Sequence, residues 1–319
     1  MIPGQRTRPY HVFPDVPGSC TIARCDGFCS DRTRKTPYHM TREGLVNTQR
    51  YRDRRVYVTG GSSGIGLSAA RQFFRLGADV LIFARSPEML QRVAGEIDHH
   101  RVSQDQRISW RVMDVSIREQ VNAEVLEAVG EFGIPDIVIN SAGQSYSQYF
   151  EQTTPEIFDS LIQTNLYGTW NVLSSLVPFM KTSGGHIVTV SSIAGLLGVF
   201  GYSAYGASKF AVVGLSQSLR DELLPYGIRV SVLCPPDTDT PMLERENLTK
   251  PPETTALSAG AGIMSPNDVA RAMITGMEKG RFIILPGFEA KGIHLLYRLV
   301  PGLVEKIIQY QIARAQKGS

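Results

Sequence analysis

The sequence of 319 residues predicts an α/β fold, a doubly wound parallel sheet with helices on both faces. From about residue 55, short β-branched runs alternate with longer amphipathic stretches, which is the pattern of parallel β-α-β units. The short runs are apolar at successive positions, and this predicts strands that are buried on both faces. A hydrophobic content of 42% is sufficient to build such a core.

Each apolar run is assigned to a strand and each amphipathic stretch to a helix, in chain order. Strands are predicted at residues 56–59, 80–83, 108–112, 137–140, 186–191, 228–233 and 282–285. Helices are predicted at residues 64–76, 116–132, 155–180, 202–224 and 266–279. Residues 293–315 add a C-terminal amphipathic helical extension, because apolar side chains recur there at helical spacing, at Leu303, Val304, Ile307, Ile308 and Ile312.

The N-terminal region differs in composition from the rest of the chain. Residues 1–50 are rich in Arg, Pro, Gly and Thr without a sustained apolar period, so they are predicted to be disordered or dispensable. Met40 is an alternative start, and an Arg-rich targeting peptide is the competing interpretation. The spacing of Cys20, Cys25 and Cys29 matches no zinc pattern, and no metal site is predicted.

Charge and hydropathy exclude several classes of function. Residues 1–55 carry eleven Lys and Arg against five Asp and Glu, so the other 264 residues sum to −3 of the total +3 and predict no nucleic-acid surface. No run of eighteen apolar residues suggests a transmembrane helix. With only Cys234 in the predicted core, a reducing compartment is expected, and with it a cytoplasmic location.

A glycine-rich segment, TGGSSGIG at residues 59–66, joins the first strand to the first helix. Glycine in this position lets the backbone turn sharply and approach a pyrophosphate at the helix N-terminus, as in Rossmann domains. The residues expected at the cofactor are Gly60, Ser62, Ser63, Gly64, Ile65 and Gly66. The second strand is followed by Arg85 rather than by an acidic residue, which favours NADP(H) over NAD because Arg85 can pair with a 2′-phosphate.

Tyr205 and Lys209 lie four residues apart in a predicted helix and therefore share a face. A nearby ammonium favours the phenolate and should lower the pKa of Tyr205, making it an acid-base group for a carbonyl or an alcohol. Ser192 follows the strand at residues 186–191 and can hydrogen-bond the same substrate oxygen.

Together these motifs resemble the short-chain dehydrogenase/reductase family over about residues 55–287. The resemblance rests on residues 59–66, the NSAG segment at 140–143, Asn165, Ser192 and the YGASK segment at 205–209. It implies that Tyr205 is the general acid/base, that Lys209 holds the nicotinamide ribose, that Ser192 orients the carbonyl and that Asn165 positions a water for proton relay. It further implies cofactor contacts at Asn140, Ala142, Gly143, Asp114, Val115, Pro235, Thr238 and Thr240.

The segment CPPDTDTP at residues 234–241 departs from the family pattern. Pro236 stands where a glycine is usual, so this loop should be stiffer and lack one amide donor. With residues 195–205 and 246–254, the segment resembles one group of the family, the 3-ketodihydrosphingosine reductases. That resemblance implies NADPH-dependent reduction of the C3 ketone of 3-ketosphinganine to sphinganine.

The substrate side of the site is expected at Ser192, Tyr205, Leu197, Phe200, Asp237 and Met242. Asp237 or Asp239 could face the substrate ammonium, although each could instead cap a turn. Alternative functions are reduction of another lipophilic ketone, such as a 3-oxoacyl chain, a steroid or a retinoid, and a non-catalytic NADP(H)-binding scaffold.

The predicted organisation is an extension at residues 1–50, a catalytic Rossmann domain at 51–288 and a basic segment at 289–319. Residues 290–319 carry five Lys and Arg against Glu305, a net of +4, which suits peripheral contact with an anionic membrane surface. Packing on the domain or on a second subunit is the alternative. The family resemblance also implies a homodimer or homotetramer, through the helices at residues 155–180 and 202–224.

Overall fold

The computed structural model describes residues 38–41, 44–47, 50–259 and 262–317. Most of the N-terminal extension, including the three cysteines, lies outside the described residues. Two short strands there, β1 (Tyr38–Thr41) and β2 (Gly44–Asn47), pair antiparallel and were not predicted.

The other strands form one parallel sheet in the order β5-β4-β3-β6-β7-β8-β9. They are β3 (Arg55–Thr59), β4 (Asp79–Ala84), β5 (Ile108–Val112), β6 (Ile137–Asn140), β7 (Gly185–Val190), β8 (Ile228–Leu233) and β9 (Ile283–Ile284). All seven predicted strands are confirmed, and no strand end differs from its predicted position by more than one residue. The order reverses beside β3, which pairs with β4 on one side and β6 on the other, and this switch point opens a crevice at the carboxyl ends of the strands.

Eleven α-helices occur in the part of the chain that the structure describes. They are α1 (Gly64–Arg75), α2 (Pro87–Asp98), α3 (Arg118–Phe132), α4 (Pro155–Ile162), α5 (Gly168–Met180), α6 (Ser203–Leu223), α7 (Pro241–Glu246), α8 (Pro252–Ser258), α9 (Pro266–Glu278), α10 (Phe288–Leu299) and α11 (Pro301–Lys317). No helix among them is long and apolar enough to cross a bilayer.

The core lies on both faces of the sheet, which explains why the strands are apolar at successive positions. In β3, Val56 and Val58 pack with α1, α2 and α9 on one face, whereas Tyr57 packs with α3 and α5 on the other. Side chains alternate between the faces of a strand, so burial of both faces requires an apolar residue at every position. The predicted doubly wound fold is confirmed.

Two predicted helices are divided in the structure. The stretch at 155–180 becomes α4 and α5, joined by a π-helical turn at Gln163–Tyr167. The C-terminal stretch becomes α10 and α11, because Pro301 lacks the amide hydrogen and the freedom of φ that a continuous helix would need. The short helices α7 and α8, which no periodicity indicated, follow the CPPDTDTP segment.

Candidate active site

A cavity of about 770 Å³ lies at the carboxyl ends of the central strands. It brings together most of the predicted site residues, which come from distant parts of the chain. Its wall includes Gly60, Ser62, Ser63, Gly64, Ile65, Arg85, Asp114, Val115, Ala142, Gly143, Ser192, Leu197, Tyr205, Lys209, Pro235, Asp237, Thr238, Thr240 and Met242. The four predicted residues outside this wall are Gly66, Asn140, Asn165 and Phe200.

Tyr205 and Lys209 project from the first two turns of α6 into the cavity. The Lys209 Nζ donates to the Val190 carbonyl oxygen at 3.0 Å and lies 5.7 Å from the centre of the Tyr205 ring. Ser192, just after β7, accepts a hydrogen bond from the Ala194 amide at 3.1 Å, which fixes the turn that carries it. The three side chains that the sequence assigned to chemistry therefore line one cavity.

Burial governs the protonation of this pair. It raises the pKa of Tyr205 above its ordinary value, while a hydrogen bond with Ser192 acts in the opposite direction. Burial also lowers the pKa of Lys209 to about 8. The predicted lowering of the Tyr205 pKa is therefore not observed, because the loss of hydration on burial is the largest effect on this phenol and raises its pKa.

Asn165 lies beneath the cavity, in the π-helical turn between α4 and α5. Its side chain accepts from the Gln144 amide and donates to the Gln144 carbonyl, both at 2.9 Å, and also donates to the Ser208 hydroxyl at 2.9 Å. A Cβ at Gly143 would stand 3.0 Å from the Asn165 oxygen and 3.4 Å from the Lys209 Nζ. A side chain at residue 143 would therefore crowd both the Asn165 oxygen and the Lys209 ammonium.

The glycine-rich segment forms a tight cradle at the start of α1. Gly60 has a φ of +66°, and a Cβ there would stand 2.9 Å from the backbone of Ala142. Gly66 faces away from the cavity, and its Cβ would stand 2.4 Å from the Gly60 carbonyl oxygen. Glycine at Gly60 and Gly66 therefore lets the loop close against both β6 and its own helix.

Thr59 connects β3 to β6 and was not predicted as a site residue. Its hydroxyl donates to the Asn140 Oδ1 at 2.7 Å and accepts from the amides of Ser141 and Ala142 at 3.1 Å. Asn140 is buried, and its Nδ2 has no partner among the residues that the structure describes. The sequence feature that could have identified Thr59 as a site residue is its position at the end of β3, directly before the glycines of the cradle.

Arg85 and Asp114 lie at the end of the cavity near β4 and β5. Arg85 is exposed and makes no ion pair with the described residues. Asp114 accepts from the amide and the hydroxyl of Ser116, at 2.9 and 2.7 Å. Arg85 therefore has its guanidinium available to a ligand, whereas Asp114 already shapes its own turn.

The CPPDTDTP segment is anchored to the chain that precedes α9. The Asp239 amide donates to the Met264 carbonyl at 2.9 Å, and the Met264 amide donates to the Asp237 carbonyl at 3.0 Å. Thr240 caps α7, because its hydroxyl accepts from the Leu243 amide at 3.3 Å. A Cβ at Gly64 would stand 3.0 Å from Thr240. The loop is thus held against the glycine-rich cradle.

A buried polar cluster lies beside Tyr205 and was missed by the sequence reasoning. The Lys250 Nζ contacts the Asp237 carboxylate at 3.2 Å and the Glu246 carboxylate at 3.0 Å, and the Lys250 side chain is 4% exposed. Tyr202 donates a short hydrogen bond to Glu246, and burial together with the Glu246 charge raises the pKa of Tyr202. The Lys–Glu spacing of four residues was the available signal.

Phe200 lies apart from the main cavity. It lines a smaller one, where its ring packs edge-on against Tyr149 with the centroids 6.0 Å apart. Its carbonyl accepts from the Thr254 hydroxyl at 2.9 Å. Of the predicted substrate residues, Leu197 and Met242 therefore line the main cavity and Phe200 does not.

The fold and the site define a dinucleotide-binding oxidoreductase. The sequence profile described as short chain dehydrogenase matches residues 54–251. The chain belongs to the short-chain dehydrogenase family.

Curated relatives give the narrower comparison. The chain is 38% identical over 229 residues to the 3-ketodihydrosphingosine reductase of Bos taurus, covering 71% of this chain and 69% of the relative. It is 36% identical over 263 residues to the reductase of the same name from Dictyostelium discoideum, covering 78% of each. The 3-dehydrosphinganine reductase of Danio rerio is 37% identical over 229 residues, covering 71% of this chain and 69% of the relative.

Solved structures share the fold. Levodione reductase has a TM-score of 0.69 at 27% identity, covering 76% of this chain and 99% of that chain. An alcohol dehydrogenase of Thermococcus sibiricus, complexed with 5-hydroxy-NADP, has a TM-score of 0.63 at 25% identity, covering 73% of this chain and 95% of that chain.

Proposed function

We propose that this protein reduces the C3 ketone of 3-ketosphinganine to sphinganine, with NADPH as the hydride donor. One observation carries the reaction type: Ser192, Tyr205 and Lys209 line a single cavity with the glycine-rich cradle. The relatives named as 3-ketodihydrosphingosine reductases, 36–38% identical over most of this chain, support the choice of substrate.

The residues present fit a nicotinamide dinucleotide phosphate. The cradle around Gly60 leaves no room for a Cβ, which is what close approach of a pyrophosphate to the backbone requires. Arg85 has no carboxylate partner among the described residues and would hold a 2′-phosphate in a charge-assisted contact. Lys209 keeps donors beyond its single bond to Val190 for the ribose.

Bound NADPH supplies the hydride, and the chain supplies orientation and the proton. Ser192 donates to the ketone oxygen and holds it near Tyr205. Tyr205 is a neutral phenol at pH 7, since even its ordinary pKa lies well above 7 and burial raises it further. The neutral phenol is the form that gives a proton to the developing alkoxide. Lys209, whose pKa of about 8 leaves it largely charged at pH 7, stabilises the tyrosinate that remains. Asn165 serves as a positioning residue, since it fixes the backbone at Gln144, next to Gly143 in the cavity wall.

The cluster of Asp237, Glu246 and Lys250 supports recognition of an amino ketone. Two carboxylates share one ammonium, so the cluster carries a net charge of −1 when all three groups are ionised. A substrate ammonium at C2, next to the reacting ketone, would neutralise this charge. Asp239 is exposed and outside the cavity wall, which leaves Asp237 as the member of the pair at the substrate.

The decisive experiment is NADPH oxidation by the purified protein with 3-ketosphinganine, a 3-oxoacyl thioester and a steroid ketone in parallel. We expect turnover of the amino ketone, and the N-acetylated ketone serves as a control because it lacks the ammonium. Preference for one of the other ketones would overturn the proposed substrate assignment but not the proposed reductase reaction. A Tyr205→Phe variant as active as the parent would overturn catalysis and indicate an NADP(H)-binding scaffold.

We also propose peripheral attachment to the cytoplasmic face of an anionic membrane through α10 and α11. Phe288, Leu295 and Tyr310 are large exposed apolar side chains, and Lys291 and Arg298 lie among them. Sedimentation with vesicles tests this proposal: binding to phosphatidylserine vesicles and not to phosphatidylcholine vesicles is expected, and equal recovery in both supernatants would overturn it.

We also propose a homodimer, because exposed aromatic side chains cluster on one set of helices. Phe158, Tyr167, Trp170 and Phe210 are exposed aromatic residues on or beside α4, α5 and α6, the helices that the family resemblance places at the subunit contact. Aromatic residues are enriched in such interfaces. Light scattering should give twice the chain mass for the parent and a lower mass for Trp170→Glu; a monomeric parent would contradict the proposal.

A further inference from the structure

The two C-terminal helices form part of the wall of the cavity that contains Tyr205. α10 contributes Ala290, Ile293 and Leu296, and α11 contributes Val304, Ile307 and Ile308. The one polar residue that these helices add to the wall is Gln311. Residues almost a hundred positions beyond the catalytic tyrosine thus reach the same space.

These helices are fixed to the domain on their inner side. Ala290 and Val304 are buried, at 3% and 6% exposure. Near the end of α11, the Gln316 side chain donates to Glu253 at 3.2 Å, and Glu253 also accepts from the Tyr149 hydroxyl at 3.0 Å. The wall therefore has a defined position relative to α8, as a binding surface requires.

Part of this wall is apolar surface left in contact with water. Ile293, Leu296 and Ile307 line the cavity and yet remain 37%, 41% and 44% exposed. Exposed clusters of large aliphatic side chains beside a cavity mark a surface that a ligand covers, because covering them removes apolar area from water.

The charges of the cavity lie at a different place along its length. The charged residues of the wall are Arg85, Asp114, Lys209, Asp237, Arg245 and Glu246, and none of them belongs to α10 or α11. Asp237 and Glu246, which Lys250 bridges, lie close to Tyr205. The wall from α10 and α11 carries no charged side chain. A ligand that fills both parts needs a polar head among these charged residues and an alkyl chain against α10 and α11.

We propose that α10 and α11 bind the alkyl tail of the substrate and thereby set a preference for long-chain ketones. The identity of the head group rests on the proposed function, whereas the tail wall rests on the apolar residues themselves. The C-terminal segment then has two faces, an inner one for the tail and an outer one with the exposed aromatic and basic residues.

Chain-length kinetics test this inference. The double variant Leu296→Ser/Ile307→Ser removes apolar surface from the wall at exposed positions, where folding should be preserved. The matched control Leu299→Ser/Leu303→Ser changes the same helices at exposed leucines that are not part of the wall. All three proteins receive short- and long-chain homologues of 3-ketosphinganine below their aggregation concentrations, without membranes.

For the parent, each methylene that enters the wall should raise kcat/KM by up to about fourfold. The Leu296→Ser/Ile307→Ser variant should lose at least about tenfold for the long homologue and less than about twofold for the short one. The control should keep the slope of the parent. An unchanged slope in the wall variant, or an equal loss in the control, would overturn the inference.

Binding separates this inference from the proposed function. Calorimetric titration with straight-chain alcohols of increasing length requires no turnover and no amino group. Affinity that rises with chain length in the parent, and much less in the wall variant, supports the tail wall even if 3-ketosphinganine is not reduced. Affinity that does not depend on chain length in the parent would overturn it.

Discussion

Replacing Lys209 with methionine should stabilise the protein while removing its activity. Burial lowers the pKa of Lys209 from 10.5 to about 8, and each tenfold change in proton affinity is worth about 1.4 kcal/mol. The charged lysine therefore costs about 3 kcal/mol of folding free energy at pH 7. The variant loses the hydrogen bond to the Val190 carbonyl, and this loss destabilises it by about 1 kcal/mol. The expected net gain in the free energy of unfolding is about 2 kcal/mol.

The pH dependence identifies the origin of this gain. The folded-state pKa of Lys209 lies below its unfolded value, so between about pH 8 and 10.5 the unfolded chain binds more protons. The free energy of unfolding of the parent, relative to that of Lys209→Met, should therefore rise with pH between about pH 8 and 10.5. By about pH 10.5 the variant should no longer be the more stable protein. Urea unfolding followed by tryptophan fluorescence at several pH values measures both quantities.

The matched control is Lys250→Met, which removes another buried lysine. Lys250 has two carboxylate partners, Asp237 and Glu246, so its loss leaves them unpaired and should destabilise the protein by about 3 kcal/mol. A Lys209→Met variant that is less stable than the parent at pH 7, or whose stability difference does not change with pH, would refute the reasoning.

Three further predictions concern single side chains. Tyr205→Phe should lower kcat for the ketone by at least about a hundredfold with an unchanged melting temperature, because only the proton donor is removed; a loss of folding would contradict this. Arg85→Glu should raise the KM for NADPH by about tenfold or more and leave the KM for NADH unchanged, because only NADPH carries a 2′-phosphate. The control Arg92→Glu, on the neighbouring helix, should change neither KM. An equal effect of Arg85→Glu on both KM values would exclude 2′-phosphate binding by Arg85. His186, whose pKa burial lowers to about 4, must stay neutral in the fold, so the parent should lose stability as pH falls below 6.5 and His186→Gln should lose less; parallel acid unfolding curves would contradict this.

Local sequence was sufficient to predict the strands, the cradle and three side chains, those of Ser192, Tyr205 and Lys209, that line one cavity. The four-residue spacing of Tyr205 and Lys209 defines a shared helical face in any context, and the glycine at 60 is required by the turn itself. Position at a strand end also located Ser192. Each of these predictions uses residues within a few positions of one another.

The polar cluster and the tail wall could not be predicted in this way. Glu246 and Lys250 look like an ordinary helical ion pair until the fold brings Asp237 and Tyr202 against them. The stripe that contains Val304 and Ile307 indicated an amphipathic helix, but the surface that it meets depends on the turn at Val300 and on the position of α8.

The sequence alone determined the family, the order of the elements and the residues available for hydride transfer, because these follow from local spacing and backbone requirements. The tertiary structure decided the ionisation and the shape of the site. Burial depends on everything packed around a group, so only the fold shows that the pKa of Tyr205 is raised and that the charged form of Lys209 is destabilised. It also decided that the C-terminal helices line the cavity that contains Tyr205, since no local pattern records which distant surfaces meet.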